Sequence, residues 1–163
     1  MKLNYSIFMA LGLSIFLVLE SAAQIRMPAP SPAANVKTSI GLTQVELNYS
    51  RPSMRGRTIF GDLVPYGEVW RTGANEPSKL SFSDEVKIGG KLIPTGQYAL
   101  YTIPGKEEWT IILSSNTALW GSMGYDAKDD AHRFTVKPQQ IMPAVESFTI
   151  EFDNYGSNSA TLK

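Results

Sequence analysis

From Val36 onward, apolar and polar residues alternate. Val36, Thr38 and Ile40 form one run and Val45, Leu47 and Tyr49 a second, with Gly41 between them. A period of two places the apolar residues of each run on one face, so the pattern predicts a hairpin of half-buried strands. The alternation lapses from Arg51 to Asn75 and returns at Leu80 and Phe82, then at Val86 and Ile88. Gly89-Gly90 follows, and two glycines supply the positive φ angles of a tight hairpin. Tyr98 to Ile103 and Trp109 to Leu113 predict a further pair joined through Pro104-Gly105. Phe134 with Val136, then Phe148, Ile150 and Phe152, give two more alternating runs. Helical turns have room only in Ser115 to Asp130 and near Asp62, and neither stretch carries an apolar stripe at helical spacing. About eight short strands separated by turn signals predict an all-β chain. The expected architecture is an antiparallel β-sandwich, jelly-roll-like or barrel-like, with one long ordered flap and at most short helical turns. No repeat of fixed period is visible.

The N-terminus adds a compartment. Lys2 precedes a mostly apolar run from Ile7 to Leu19, and Ser21, Ala22 and Ala23 follow it. This is the order of a secretory signal peptide, with cleavage expected before Gln24. The run is short for a membrane span, which needs roughly 20 apolar residues. The expected division is therefore a signal peptide at 1–23, a Pro/Ala-rich spacer at 24–35 and a single domain at 36–163. Export to the periplasm or the extracellular space follows, with no membrane span left after cleavage.

Charge and cysteine content narrow the function. Of 15 basic and 15 acidic residues, only Lys2 and Glu20 leave with the signal, so the mature chain stays neutral at 14 against 14. Nucleic acid and anionic membranes are held by net positive charge, which makes both poor candidates as main partners. The chain has no cysteine. Disulfides, thiolate metal sites and a cysteine nucleophile are thereby excluded.

Candidate chemistry concentrates in Arg51–Asn75. Arg51, Arg55, Arg57 and Arg71 lie there with Tyr66 and Trp70 in one connection. Connections longer than roughly 12–15 residues are usually functional or disordered. Ile59, Phe60, Leu63, Val64 and Val69 make this one too apolar for disorder, so it is expected to fold as an ordered flap over one end of the sandwich. Guanidinium groups match carboxylate, phosphate or sulfate oxygens with paired donors, and aromatic faces stack on sugars. The candidate ligand-binding residues are Arg51, Arg57, Tyr66, Trp70, Arg71 and Asn75. At least two of Arg51, Arg57 and Arg71 are expected in one pocket, with Trp70 and Arg71 diverging to opposite sides. The competing reading makes the arginines staples, paired with Asp62, Glu68 and Glu76 or donating to loop carbonyls.

Elsewhere the signals are weaker. His132 is the only histidine and follows Asp129-Asp130, which reads as an exposed acidic turn rather than a metal site. No metal or cofactor is expected. Gly121-Ser122-Met123-Gly124 lacks the spacing of a nucleophile elbow. Glu107 and Glu108 are neighbours that point apart on extended backbone, unlike the facing carboxylates of a glycosidase. Trp120 and Tyr125, in a glycine-rich stretch, are candidate stacking surfaces.

The run Tyr49-Ser50-Arg51-Pro52, Gly56-Arg57, Ile59-Phe60-Gly61, Leu63-Val64-Pro65-Tyr66-Gly67 and Val69 to Asn75 resembles the exported bacterial domain-of-unknown-function family 2911, common among Bacteroidetes. Ile88-Gly89-Gly90, Ile93-Pro94, Trp109-Thr110 and Phe148-Thr149-Ile150 extend the resemblance, from about residue 31 to the end. It implies a secreted or periplasmic β-domain and carries no established activity. The family pattern runs on past Ala160-Thr161-Leu162 through a further strand, so the resemblance implies an incomplete final strand and an exposed edge near Phe148–Phe152.

Together these features favour a non-catalytic binding module for a small polar or acidic ligand such as a sugar. One alternative is a cell-envelope hydrolase whose carboxylates converge only in the fold. Another is a structural or assembly module that self-associates through an open sheet edge.

Overall fold

The computed structural model describes residues 27–163. The signal peptide expected at 1–23 and its cleavage before Gln24 lie outside the described residues.

The first alternating runs form β1 (Ala33–Ile40) and β2 (Thr43–Ser50), antiparallel, with Ile40 opposite Thr43 across a two-residue turn. Gly41 opens that turn at φ +60°, a conformation glycine adopts without a Cβ penalty. β1 begins at Ala33, three residues inside the stretch read from sequence as spacer. β3 (Ser78–Phe82), β6 (Gly96–Ile103), β7 (Trp109–Ser114) and β8 (Asp130–Val136) complete a six-stranded antiparallel sheet in the order β1-β2-β3-β6-β7-β8. Between β3 and β6, Gly89-Gly90 turns the hairpin of β4 (Val86–Ile88) and β5 (Lys91–Ile93). Its two residues take φ +54° and +85°. β9 (Phe152–Asp153) and β10 (Thr161–Leu162) form a second small sheet. The only helical element among the described residues is a 3-10 turn at Ala127–Asp129, capped by the Asp126 side chain. The chain is all-β, as the alternation predicts.

The period of two sorts side chains onto the two faces of the large sheet. One face carries Val45, Leu47, Leu80, Phe82, Leu100 and Leu113, all buried in one cluster. Two covers lie across it. On the β1–β2 side runs the segment from Phe148 to Asn158, beginning against Tyr49, with ring centroids 6.0 Å apart, and ending against Gly41. On the β8 side the β4–β5 hairpin comes down on Phe134. The opposite face carries a smaller cluster of Ala99, Tyr101 and Ile112, covered by Val69, Leu119 and Tyr125.

Gly89 shows how tightly the hairpin is seated. A Cβ there would lie 2.5 Å from the Phe134 ring. Gly89→Ala therefore meets a steric clash as well as the roughly 1–2 kcal/mol that an L-residue pays in left-handed backbone. The expected result is a urea midpoint lowered by more than the backbone penalty alone, with the m-value unchanged.

The alternating run at Phe148, Ile150 and Phe152 is only partly a strand. The Phe148 N–H donates to Pro52 O, whereas Glu151 exchanges backbone hydrogen bonds with Lys163. The segment thus changes partner midway, and its ladder with β10 is short. Ile150 is buried all the same.

Candidate functional site

Between the two covers the large sheet leaves a half-enclosed cleft of about 830 Å³. Half-buried Ile111 lies on its apolar wall, and the buried side chains of Leu80, Leu100 and Leu113 lie beneath it. Strand register distinguishes the two ends. Phe82 pairs with Gly96 at one end, and Ile103 pairs with Thr110 at the other.

The second end is closed by aromatic rings. The Trp70 ring meets Phe60 at 5.7 Å and Phe148 at 5.2 Å, and Phe60 meets Trp109 at 4.7 Å, all edge to face. Trp70 is held there by exchanging backbone hydrogen bonds with Thr102 and by donating from Nε1 to Gly73 O at 3.1 Å. Beside it Thr72 lines the cleft at φ +54°, an unusual backbone for a β-branched residue. Its hydroxyl donates to Thr102 Oγ1 at 3.1 Å.

The first end is polar. The Ser83 N–H donates to Gln44 O, which draws the stretch leading to Glu85 and Lys87 beside the Gly41–Thr43 turn. Asn158 packs on Gly41 from the other side. Glu85, Lys87, Asn158 and Ser159 all line this mouth. Among the described residues Glu85 is the only acidic side chain on the cleft wall, and no arginine or histidine lines it.

The residues singled out from sequence are distributed differently. Trp70 alone among them lines the cleft. Arg51 donates from Nε to Phe148 O at 3.2 Å and from Nη2 to Thr149 Oγ1 at 2.9 Å. Arg57 donates to Met54 O at 2.9 Å and Ser53 O at 2.8 Å. Both guanidiniums are thus engaged with the protein itself, as donors to loop oxygens rather than as partners of Asp62 or Glu68. The Tyr66 ring packs on Gly61, where a Cβ would come within 2.5 Å. Asn75, at φ +63°, donates to Ser50 Oγ. Arg71 lies on the opposite face of the sheet, against Gly121. Trp70 and Arg71 therefore diverge as extended backbone requires, and the three arginines do not share one pocket.

Arg51 fastens the cover strand to the end of β2. Arg51→Ala removes two hydrogen bonds and leaves half-buried acceptors unpaired, so a loss of about 1–3 kcal/mol is expected in chemical denaturation.

His132 sits within β8, not in the acidic turn before it. Its ring stacks on Phe134 at 5.2 Å, and its Nε2 is buried without a hydrogen-bond partner. His132 faces Leu113 in regular register, two residues before Phe134, so the period of two sets both on the cleft side. Only beyond it does the pairing slip, with Ser114 facing Asp130 and Ala131 left extra. Among the described residues no group of three or more His, Cys, Asp or Glu side chains is placed to hold a metal ion.

On the far face Tyr125 packs edge-on against Tyr101 at 5.1 Å. Its hydroxyl donates to Asp130 at 2.8 Å and accepts from Arg133 Nη2 at 2.7 Å. Burial, followed by the Asp130 hydrogen bond, pushes the Tyr125 hydroxyl up to about 12, against the opposing pull of Arg133. Burial also raises Tyr101. A phenol whose folded value lies above its unfolded 10.0 contributes stability that is intact below pH 10 and lost as pH climbs toward about 12. Tyr125→Phe should flatten part of that alkaline decline in denaturation curves taken across this window, leaving the Tyr101 share.

No curated protein and no solved structure matches the chain. No helix among the described residues is long and apolar enough to cross a membrane. The specific run of residues around the Arg51–Asn75 connection is accounted for by one match: the family described as "Protein of unknown function (DUF2911)" aligns with residues 31–163, and the chain belongs to that family.

Proposed function

We propose that this is an exported binding protein whose ligand is an elongated amphiphile, with its apolar body in the cleft and its polar end at the Glu85–Asn158 mouth. Export rests on the N-terminal pattern of Lys2, the Ile7–Leu19 run and Ser21-Ala22-Ala23. The binding reading rests on the cleft itself. Its volume of about 830 Å³ lies within the roughly 300–1,000 Å³ of small-molecule sites, which are mostly apolar with a few polar groups.

Packing energetics support the same conclusion. At about 24 cal/mol per Å³, a sealed void of this size would cost on the order of 20 kcal/mol. That exceeds the whole stability of a typical domain, about 5–15 kcal/mol. The space is therefore reached by solvent or by a ligand, and water gains little against such walls. Each methylene moved from water into the cleft contributes about 0.8 kcal/mol. Ten of them give about 8 kcal/mol, the size of a micromolar Kd before association costs are subtracted.

The two ends orient the ligand. The rings of Trp70, Trp109 and Phe148 present mostly apolar surface, and the Thr72 hydroxyl beside them is engaged with Thr102. The mouth offers donors from Lys87 and Asn158. A hydrolase of the two-carboxylate kind would need a facing pair in this cleft, and among the described residues Glu85 is the single acidic side chain on its wall. The test is fluorescence titration of the purified protein with cis-parinaric acid, followed by displacement with palmitate and with glucose. Saturable enhancement reversed by palmitate and not by glucose is expected. Absence of saturable enhancement would remove the proposal.

A further inference from the structure

The face opposite the cleft carries a cation with no ion-pair partner among the described residues. The backbone pairing of Trp70 with Thr102 sets the neighbouring Arg71 beside Tyr101 on that face. Arg71 Nε is excluded from solvent and has no hydrogen-bond partner. Among the described residues no carboxylate lies within 4.0 Å of its guanidinium, since none of the ion pairs found includes it.

The acidic groups on this side are already engaged. Glu76 pairs with Lys79 at 2.8 Å. Asp130 accepts from Arg133 and Tyr125. Asp129 accepts from Asn116, and Asp126 caps the 3-10 turn. A desolvated guanidinium donor left unpaired is costly, and its fork of N–H groups matches the oxygens of a carboxylate or phosphate.

The surroundings are shaped for an approaching group. Gly121 adopts φ +67°, and, its chain neighbours aside, the described residues place only Arg71 Nη1 within 4 Å of where its Cβ would stand, at 3.8 Å. The Gly121 carbonyl is turned toward the Tyr101 hydroxyl, which donates to it at 3.4 Å. Trp120, next along the chain, is 61% exposed. Exposed indole faces stack on the apolar faces of sugar rings, and a guanidinium beside one fixes an acidic substituent.

We infer that Arg71 and Trp120 form a second binding site, distinct from the cleft, for an oxyanion carried on a ring: an acidic sugar of the uronate type. Arg71 takes the carboxylate, and Trp120 takes the ring face. The site needs neither the cleft nor its ligand, so each can fail without the other.

The test uses the ¹⁵N-labelled protein titrated with glucuronate, with glucose and with inorganic phosphate. The Arg71 Nε–H and Gly121 amide resonances are followed, and affinities are measured by calorimetry. Glucuronate is expected to shift both resonances and to bind at least about tenfold more tightly than glucose. Arg71→Gln should lose glucuronate binding while keeping cis-parinaric acid uptake in the cleft. Arg71→Lys, which retains the charge but not the fork, should recover only part of it. Trp120→Ala should weaken glucuronate and leave phosphate unchanged. Glucuronate leaving both resonances unmoved, or binding Arg71→Gln as tightly as the unaltered protein, overturns the site. Phosphate matching glucuronate, with Trp120→Ala affecting neither, overturns the acidic-sugar assignment.

Discussion

Ile111→Trp is expected to abolish uptake of an acyl ligand while leaving the protein folded. Ile111 lies on β7 between Thr102 of β6 and Phe134 of β8, and its side chain forms part of the cleft wall. Ile111 packs against the core and also borders the cleft, so an indole at that position has the cleft to extend into. Overpacking a filled core costs typically 1–3 kcal/mol, and here much of that strain is relieved by the cleft. The affinity for cis-parinaric acid should fall at least about tenfold, equivalent to 1.4 kcal/mol. The melting temperature should change little. Binding that survives with unaltered affinity would mean that the acyl chain lies elsewhere.

Trp70→Ala should produce the largest loss of stability of any change in the Arg51–Asn75 connection. Trp70 contacts Phe60 and Phe148 by ring edges, donates to Gly73 O and completes the backbone pairing with Thr102. Truncation of a large aromatic to alanine costs about 3–5 kcal/mol where the site cannot collapse. The rings at this end are held by one another, so the gap cannot close by movement of a single neighbour. A further effect follows from position. Trp70 closes the aromatic end, so its removal lengthens the cleft and should shift selectivity toward longer acyl chains. Chemical denaturation measures the first effect, and competition between palmitate and longer fatty acids measures the second.

The strands and their turns were legible in the sequence because the period of two and the glycine pairs are local signals. Gly41 and Gly89-Gly90 each turn the hairpin expected of them. The divergence of Trp70 and Arg71 was legible for the same reason. What alternation cannot report is the distance between layers. Leu80, Leu100 and Leu113 alternate as residues of a filled core and are buried, yet the same alternation at Ile111 and Ile88 leads to the wall of a cleft. The partners of Arg51 and Arg57 are carbonyl and hydroxyl oxygens of Ser53, Met54, Phe148 and Thr149. No sequence pattern marks such acceptors, because every residue carries a carbonyl. His132 was misread for a related reason. Its acidic neighbours Asp129 and Asp130 suggested an exposed turn, whereas the strand already begins at Asp130 and its alternation sets His132 on the same face as Phe134.

The Arg51–Asn75 connection thus supplies both faces of the protein at once. Trp70 closes the cleft on one side, and Arg71, in no ion pair among the described residues, lies on the other. Arg51 and Arg57 hold the connection and the Phe148 segment in place. This division gives a physical reason for so many arginines and aromatics in one irregular stretch.

The central claim is tested most directly by isotope-filtered nuclear Overhauser spectroscopy of the ¹³C-labelled protein with unlabelled palmitate. The account predicts contacts from the acyl chain to the methyl groups of Leu80, Leu100, Ile111 and Leu113, its terminal methyl near Trp70 and its carboxylate end near Asn158. Contacts confined to exposed residues away from the cleft, such as Met123 and Ile141, with none to those four, would contradict it.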